Sequence, residues 1–96
     1  MGLKEKYDFE ILINEAEALV LKELEAQMAE AAGVCVCQDC VLDMAAYSLN
    51  NVKPNYRVSL MGKLYARATE QAEYGLEIKA SVQEAIRKVQ ANRSHD

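Results

Sequence analysis

Tryptophan is absent from this chain of 96 residues, proline and histidine occur once each, and glycine occurs four times. Such a scarcity of turn-forming residues excludes collagen-like and linker-like chains and the turn-dense all-β folds. A Ser-His-Asp hydrolase would have to use the single histidine, and the sequence has no glycine-rich phosphate loop, no carboxylate pair at a defined spacing and no nucleophile–base motif. We therefore expect a protein that is not an enzyme.

Long apolar runs are missing as well. No stretch is apolar for long enough to span a bilayer, and the charged N-terminus MGLKEKYDFE has no secretory signal pattern. The composition is that of an ordinary globular protein, with 51% hydrophobic residues and a mean hydropathy of −0.18. We expect a cytoplasmic protein without membrane insertion, made of an N-terminal arm over residues 1–7, a single helical domain over 8–91 and a tail over 92–96.

Charge is distributed unevenly along the chain, whose net charge is −4. Residues 1–43 carry ten acids and three bases, and residues 70–96 carry five acids and four bases. Residues 44–69 contain no acid and carry Lys53, Arg57, Lys63 and Arg67. The acidic total disfavours DNA or RNA as a partner, whereas the basic segment could bind a small phosphate-bearing ligand or be a solvated loop.

Hydrophobic periodicity predicts a long first helix over residues 8–31, with Asp8 as its N-cap and Gly33 as its stop. At 100° per residue its apolar side chains cover an arc of about 200°, whereas one buried face needs only about 100°. The spare surface indicates contact with a second copy of the chain. The candidates for that shared surface are Leu12, Leu19 and Leu24.

Two further helices are predicted. One covers residues 40–51, with Asp39 as its cap and an apolar stripe of Leu42, Ala45, Ala46 and Leu49. The other covers residues 70–91, with Thr69 as its cap and a stripe of Ile78, Val82, Ala85, Ile86 and Val89. Residues 52–68 are expected to form a short hairpin or an extended arm, with a turn at Gly62. The fold class is therefore mainly α: a small three- to four-helix domain with a long N-terminal helix, a cysteine-containing turn and a short irregular or hairpin segment, assembled as a helical homodimer.

Three cysteines stand close together, as Cys35, Cys37 and Cys40. In a reducing compartment such a cluster is typical of metal binding. Thiolates that converge between a loop and a helix N-terminus can bind zinc, which is tetrahedral and so needs a fourth ligand. The candidates for that position are a water, a group from another chain, Asp39, Asp43 and His95. The alternative is three unliganded thiols, two of them packed in the core.

The stretch from Cys35 to Tyr56 combines a cysteine cluster, an Asp three residues later, a small-residue helix that ends in Leu-Asn, and then Pro-x-Tyr. The pattern falls on Cys35, Cys37, Cys40, Asp43, Ala45, Leu49, Asn50, Pro54 and Tyr56. In this it resembles the late competence development protein ComFB family, and the resemblance covers most of residues 8–90. The chain departs from the family pattern in having Lys53 where many members have a second proline, and three cysteines where an all-cysteine zinc site has four.

The resemblance implies a small, cytoplasmic, mostly helical bacterial protein that forms a homodimer. It also implies zinc bound through the cysteines, and a role for some members as receptors of cyclic dinucleotides in competence, pili or motility. We expect cyclic di-GMP, ahead of cyclic di-AMP, to bind near residues 50–67 and to act through an unidentified downstream protein. The alternative is a zinc-stabilised structural or adaptor module of the competence or pilus system that binds no small ligand.

Such a ligand carries two phosphates and two purines, so it needs cationic side chains and flat stacking partners close together. The expected phosphate contacts are Arg57 and Arg67, supported by Lys53 and Lys63. The expected stacking partners are Tyr56 and Tyr65, and Asn50 or Asn51 could meet a base edge. Replacing an acid of the first helix such as Glu15 should change little.

Overall fold

The computed structural model describes residues 2–58 and 60–92, and in the last helix it describes side chains from residue 72 onward. The elements follow in the order α1 Leu3–Lys6, a 3-10 helix at Phe9–Ile11, β1 Ile13–Asn14, α2 Glu15–Glu30, α3 Gln38–Asn50, β2 Tyr56–Arg57 and α4 Leu60–Ala91. Strands β1 and β2 pair antiparallel, with Ile13 opposite Arg57 and Asn14 opposite Tyr56. The prediction of a mainly helical fold is confirmed over these residues.

The core lies between α2, α3 and α4, each of which packs against the other two. Its buried residues are Ala16, Val20 and Leu24 from α2, Cys40, Met44 and Ala45 from α3, Val52, and Ile78, Val82, Ala85 and Val89 from α4. The stripe predicted for the last helix is therefore confirmed, with Ile86 half-buried at its margin.

The first long helix is shorter than predicted, because it begins at Glu15 and not at Asp8. Asn14 is its N-cap: the side-chain oxygen accepts hydrogen bonds from the backbone N–H of Ala16 at 3.1 Å and of Asn55 at 2.8 Å. Asp8 caps the 3-10 helix instead, accepting from Glu10. Residues 8–14 form a 3-10 helix and a short strand where the periodicity predicted continuous helix. An N-cap residue has a non-helical backbone, and Asn14 is extended, so the helix cannot continue to its N-terminal side.

This shorter helix also changes the surface expected to meet a second copy. Leu24 is 2% exposed and belongs to the core, so its place among the shared-surface candidates was wrong. Leu12 and Leu19 remain exposed, at 43% and 38%. Beyond the end of α2, Gly33 has φ +77°, a left-handed conformation that favours glycine, so it acts as the predicted stop signal.

Helix α3 buries half of the predicted stripe, because Ala45 is buried and Leu49 packs against the core. Leu42 is 57% exposed and Ala46 is exposed, whereas Cys40, Met44 and Ser48 are fully buried. Ser48 can be buried because its hydroxyl donates to the carbonyl of Met44 at 2.8 Å. The fully buried residues recur at every fourth position and Ala45 adjoins them, so the buried face is rotated away from Leu42 and Ala46.

The segment 52–68 does not form a hairpin of its own. Tyr56–Arg57 pairs with β1 near the start of the chain, and α4 begins at Leu60. The helix therefore includes Gly62, predicted as a turn, and Thr69, predicted as a cap. Helix-forming residues such as Leu, Met, Lys, Ala and Arg flank Gly62, and together they outweigh the cost of about 1 kcal/mol that glycine imposes in a helix. Among the described residues, none of the helices has the length and apolarity needed to cross a membrane.

Candidate metal centre and ligand surface

The three cysteines meet at one point. One ligand atom from each of Cys35, Cys37 and Cys40 lies within 4.8 Å of the others. Sulfurs that surround a tetrahedral zinc ion at about 2.3 Å lie about 3.8 Å apart, so the cluster needs only a small contraction to hold one. Cys40 is buried, and Cys35 and Cys37 are half-buried. The donor set therefore fits a soft divalent cation.

The N-terminus of α3 is what brings the sulfurs together. Cys37 is the N-cap residue, in an extended conformation with φ −70° and ψ 162°, and its sulfur accepts a hydrogen bond from the backbone N–H of Cys40 at 3.4 Å. Asp39, the predicted cap, lies instead within the first turn. The sulfur of Cys37 therefore lies at the positive end of the α3 dipole, beside a backbone N–H donor.

Cys40 is in the opposite situation. Burial, together with its hydrogen bonds to Cys35 and Cys37 and their charges, raises the pKa of the Cys40 thiol from 9.0 to about 12. In the protein alone this thiol keeps its proton. A cation that binds three sulfurs must displace that proton, so metal binding at this site depends on pH.

Two of the candidates for a fourth ligand do not join the cluster. Asp39 and Asp43 are exposed and lie outside the group formed by the three cysteines. His95 lies outside the described residues. The loop is instead tied to α4, because the backbone N–H of Cys35 donates to Oε1 of Gln90 at 3.0 Å. Sequence reasoning missed Gln90, and no sequence signal connects a glutamine near the chain end to a cysteine 55 positions earlier.

The predicted ligand residue Lys53 is held by its backbone. Its N–H donates to Oε2 of Glu77 at 2.6 Å, and its carbonyl accepts from the hydroxyl of Tyr74. The side chain of Lys53 is exposed. The sequence did not predict Tyr74 and Glu77 as partners, because a hydrogen bond to a backbone atom does not depend on the side chain at that position. They place the loop after α3 firmly against α4.

Arg57 has a partner that the sequence did not reveal. Its guanidinium pairs with the carboxylate of Glu15, and the two side chains are only 19% and 14% exposed. The segment 44–69 contains no acid of its own, but folding brings Glu15 to it, and the charge of Arg57 is neutralised there. Glu15, expected to be a surface acid of the first helix, is instead largely buried in this ion pair.

The remaining predicted ligand residues fall into three groups. Tyr56 is 61% exposed and Asn50 is exposed. Asn51 donates its amide to the carbonyl of Tyr47 at 2.8 Å. The side chains of Lys63, Tyr65 and Arg67 lie outside the described residues, although Lys63 and Arg67 stand about one turn apart in α4.

Asn51 lines an open cleft of about 310 Å³ between α3 and α4. The other lining residues are Tyr47, Glu77, Ala80, Ser81 and Glu84. Glu77 makes this cleft unfavourable for a phosphate group, whereas Glu84 is paired with Arg87. The cleft beside Asn51 is therefore acidic, which sets Asn51 apart from the basic residues predicted to bind the same ligand.

Three packed helices, a two-stranded antiparallel pair and a cysteine cluster at the start of α3 define a small helical domain with a thiol-rich centre. The family described as late competence development protein ComFB matches residues 13–93, and the chain belongs to this family. Among solved structures it is similar to the late competence protein ComFB from Bacillus subtilis, with 26% sequence identity and a TM-score of 0.70 over 86% of this chain and 92% of that chain. No match was found among the curated proteins.

Proposed function

We propose that this chain is a non-enzymatic regulatory protein of the competence family. A zinc ion bound by Cys35, Cys37 and Cys40 stabilises the fold. The chain forms a homodimer that binds a cyclic dinucleotide and passes this signal to a partner protein. The convergence of three cysteine ligand atoms within 4.8 Å carries the metal part of the proposal. Such a zinc ion would join the loop after α2 to the first turn of α3, and its role would be structural.

Metal analysis of protein purified without a histidine tag tests this site. We expect close to one zinc per chain in the unmodified protein and a large loss in Cys35→Ser, Cys37→Ser and Cys40→Ser. Val36→Ala, at a 64% exposed position between two of the cysteines, is the matched control and should keep its zinc. Zinc at 100 times its Kd should add about 2.7 kcal/mol to the free energy of unfolding, and a chelator should remove that increment. Less than about 0.1 zinc per chain, with three titratable thiols, contradicts the site.

The exposure of Tyr56 favours the ligand part of the proposal. Its ring is 61% exposed, and the exposed side chain of Lys53 stands nearby in sequence within the acid-free segment. A free aromatic face beside a cation is what a purine with a phosphate requires. Arg57 contributes less than first expected, because it already neutralises Glu15. Lys63 and Arg67, about one turn apart in α4, then become the main phosphate candidates.

Calorimetric titration with cyclic di-GMP and cyclic di-AMP tests the ligand. Tyr56→Ala should weaken binding by roughly 5- to 150-fold, the range of lost base stacking. Arg67→Ala should weaken it by roughly 10- to 150-fold, the range of a lost charged hydrogen bond. Tyr7→Ala is the control, since Tyr7 is 55% exposed and outside the segment. Absence of heat with either nucleotide at about 100 times a micromolar Kd contradicts the receptor role and leaves the zinc-stabilised adaptor module as the function.

A further inference from the structure

The N-terminal segment, residues 2–12, is folded into two short helical turns but is not buried. It contains α1 and the 3-10 helix, and neither has a buried residue. In the part of the chain that the structure describes, every hydrogen bond of this segment joins residues two to four positions apart. A single helical turn is not stable in water without packing. The segment, which precedes the residues that match the family, therefore needs a surface that its own chain does not provide.

Large apolar side chains make up much of this segment. Among its eleven residues, five are aliphatic or aromatic side chains that are 38–63% exposed, and these are Leu3, Tyr7, Phe9, Ile11 and Leu12. A single exposed leucine is normal on a protein surface. Five such side chains within eleven consecutive residues form an apolar patch of the kind that marks an interaction surface.

The exposed area of the chain matches what a stable homodimer needs to bury. A folded monomer of 10.7 kDa exposes about 5,500 Å², whereas this chain exposes 7142 Å². Its radius of gyration is 15.5 Å, against about 12.5 Å for a compact domain of 96 residues. Two copies that each cover an excess of about 1,600 Å² bury about 3,200 Å² in total, which lies within the range of obligate homodimers. A second copy of this chain therefore accounts for the excess.

Helix α2 provides a surface complementary to the segment. Leu21 is 47% exposed and stands between two exposed glutamates, Glu17 and Glu25. All three lie on one face of the helix, because they are four positions apart. Helix α1 is basic, with Lys4 and Lys6 against a single acid. An apolar segment that carries two lysines thus complements, in hydrophobicity and in charge, an apolar stripe that carries two glutamates.

We propose that the N-terminal segment of each copy docks on the face of α2 formed by Glu17, Leu21 and Glu25 in a second copy. The contact occurs twice, because a two-fold dimer presents the same surface on both of its members. This inference rests on the homodimer of the proposed function and adds the segment that joins the two copies. Leu19 lies at the opposite margin of the exposed half of α2, where it is available for direct contact between the two α2 helices.

Sedimentation equilibrium of variants of the whole chain tests the apolar part of this contact. Ile11→Asp should raise the Kd of the dimer by roughly 10- to 150-fold, because an isoleucine that is buried in the interface is lost. Leu76→Asp, at a 68% exposed position on α4, is the matched control and should stay within about twofold of the unmodified protein. Both variants should keep the circular dichroism of the unmodified protein, since neither residue belongs to the core.

A charge exchange tests whether the contact runs between copies. The double variants Lys4→Glu/Lys6→Glu and Glu17→Lys/Glu25→Lys should each self-associate at least about tenfold more weakly, because like charges then face each other. An equimolar mixture of the two should form a heterodimer with nearly the affinity of the unmodified protein, since opposite charges meet in both contacts. A segment packed on α2 of its own chain would gain nothing from mixing.

The control for the charge reversals is Lys79→Glu/Lys88→Glu, which changes two exposed lysines of α4 and should leave the Kd unchanged. A mixture that associates no better than its two components would overturn docking between copies. A dimer that is insensitive to Ile11→Asp and to both charge reversals would overturn the inference and leave the homodimer of the proposed function intact. An unmodified protein that is monomeric at micromolar concentration would overturn that homodimer and this inference with it.

Discussion

Arg57 of β2 forms an ion pair with Glu15, the first residue of α2, across 42 positions of sequence. Both side chains are largely buried, at 19% and 14% exposure. Beside this pair, the backbone N–H of Glu15 donates to the carbonyl of Asn55 at 2.7 Å. The start of α2 and the segment before α4 are therefore joined by a charged contact as well as by backbone pairing.

Removing one member of this pair should destabilise the protein. Glu15→Gln should lower the free energy of unfolding by about 1–3 kcal/mol, because Arg57 keeps its charge without its partner. Arg57→Met should do the same, and the double variant should lose less than the sum, with a coupling energy of about 1–2 kcal/mol. Urea unfolding measures all three. Glu17→Gln, exposed on the same helix, should change stability by less than about 0.5 kcal/mol. Strict additivity in the double variant would show that the pair contributes nothing.

The inward face of α3 can be tested with two truncations two residues apart. Met44 is fully buried, so Met44→Ala should cost about 2–5 kcal/mol through lost burial and the cavity left behind. Leu42 is 57% exposed, so Leu42→Ala should cost less than about 0.5 kcal/mol. Thermal or urea unfolding gives both values. The reverse order would mean that the apolar stripe predicted from the sequence is the buried one after all.

The proposed homodimer makes different predictions for two leucines of α2. Leu19 is 38% exposed, so Leu19→Glu should yield a monomer that keeps its helical circular dichroism. Leu24 is 2% exposed, so Leu24→Glu should unfold the chain at any concentration. Sedimentation velocity together with circular dichroism separates these outcomes. A folded monomer of the unmodified protein at micromolar concentration would contradict the dimer.

The stability of the fold should depend on pH through Tyr74. Burial, and secondarily the charge of Glu77, raise the pKa of the Tyr74 hydroxyl above its ordinary value of 10.0. The neutral hydroxyl donates to the carbonyl of Lys53. A raised pKa in the folded state gives stability that is complete below about pH 10 and is lost as the pH rises through the folded value.

Stability measured from pH 8 to about pH 11.5 should therefore fall less steeply in Tyr74→Phe than in the unmodified protein. The Phe variant should be less stable at neutral pH, by about 0.5–1.5 kcal/mol for the missing hydrogen bond. Tyr56→Phe is the control, because Tyr56 is 61% exposed, and its profile should follow that of the unmodified protein. Parallel profiles for Tyr74→Phe and the unmodified protein would refute the role of this hydroxyl.

Much of the fold follows from local pattern. The stripe of Ile78, Val82, Ala85 and Val89 predicts the buried face of α4 because side chains at helical spacing lie on one face whatever packs against them. The family pattern from Cys35 to Tyr56 is equally local, and the family match over residues 13–93 confirms it. The predicted start of α2 was wrong because it depends on the N-cap Asn14, whose second hydrogen-bond partner, Asn55, lies 41 positions away in sequence.

The candidate site divides in the same way. The sequence by itself determined which residues could bind a metal, since three cysteines stand within six consecutive positions. Only the tertiary structure decided that Glu15 neutralises Arg57, that Glu77 and Tyr74 hold the backbone of Lys53, and that Gln90 reaches the cysteine loop. The physical reason is the sequence separation of the residues that interact. Helical periodicity and short spacings are set by the geometry of a few consecutive residues, whereas charge pairs and hydrogen bonds across the core depend on how three helices pack.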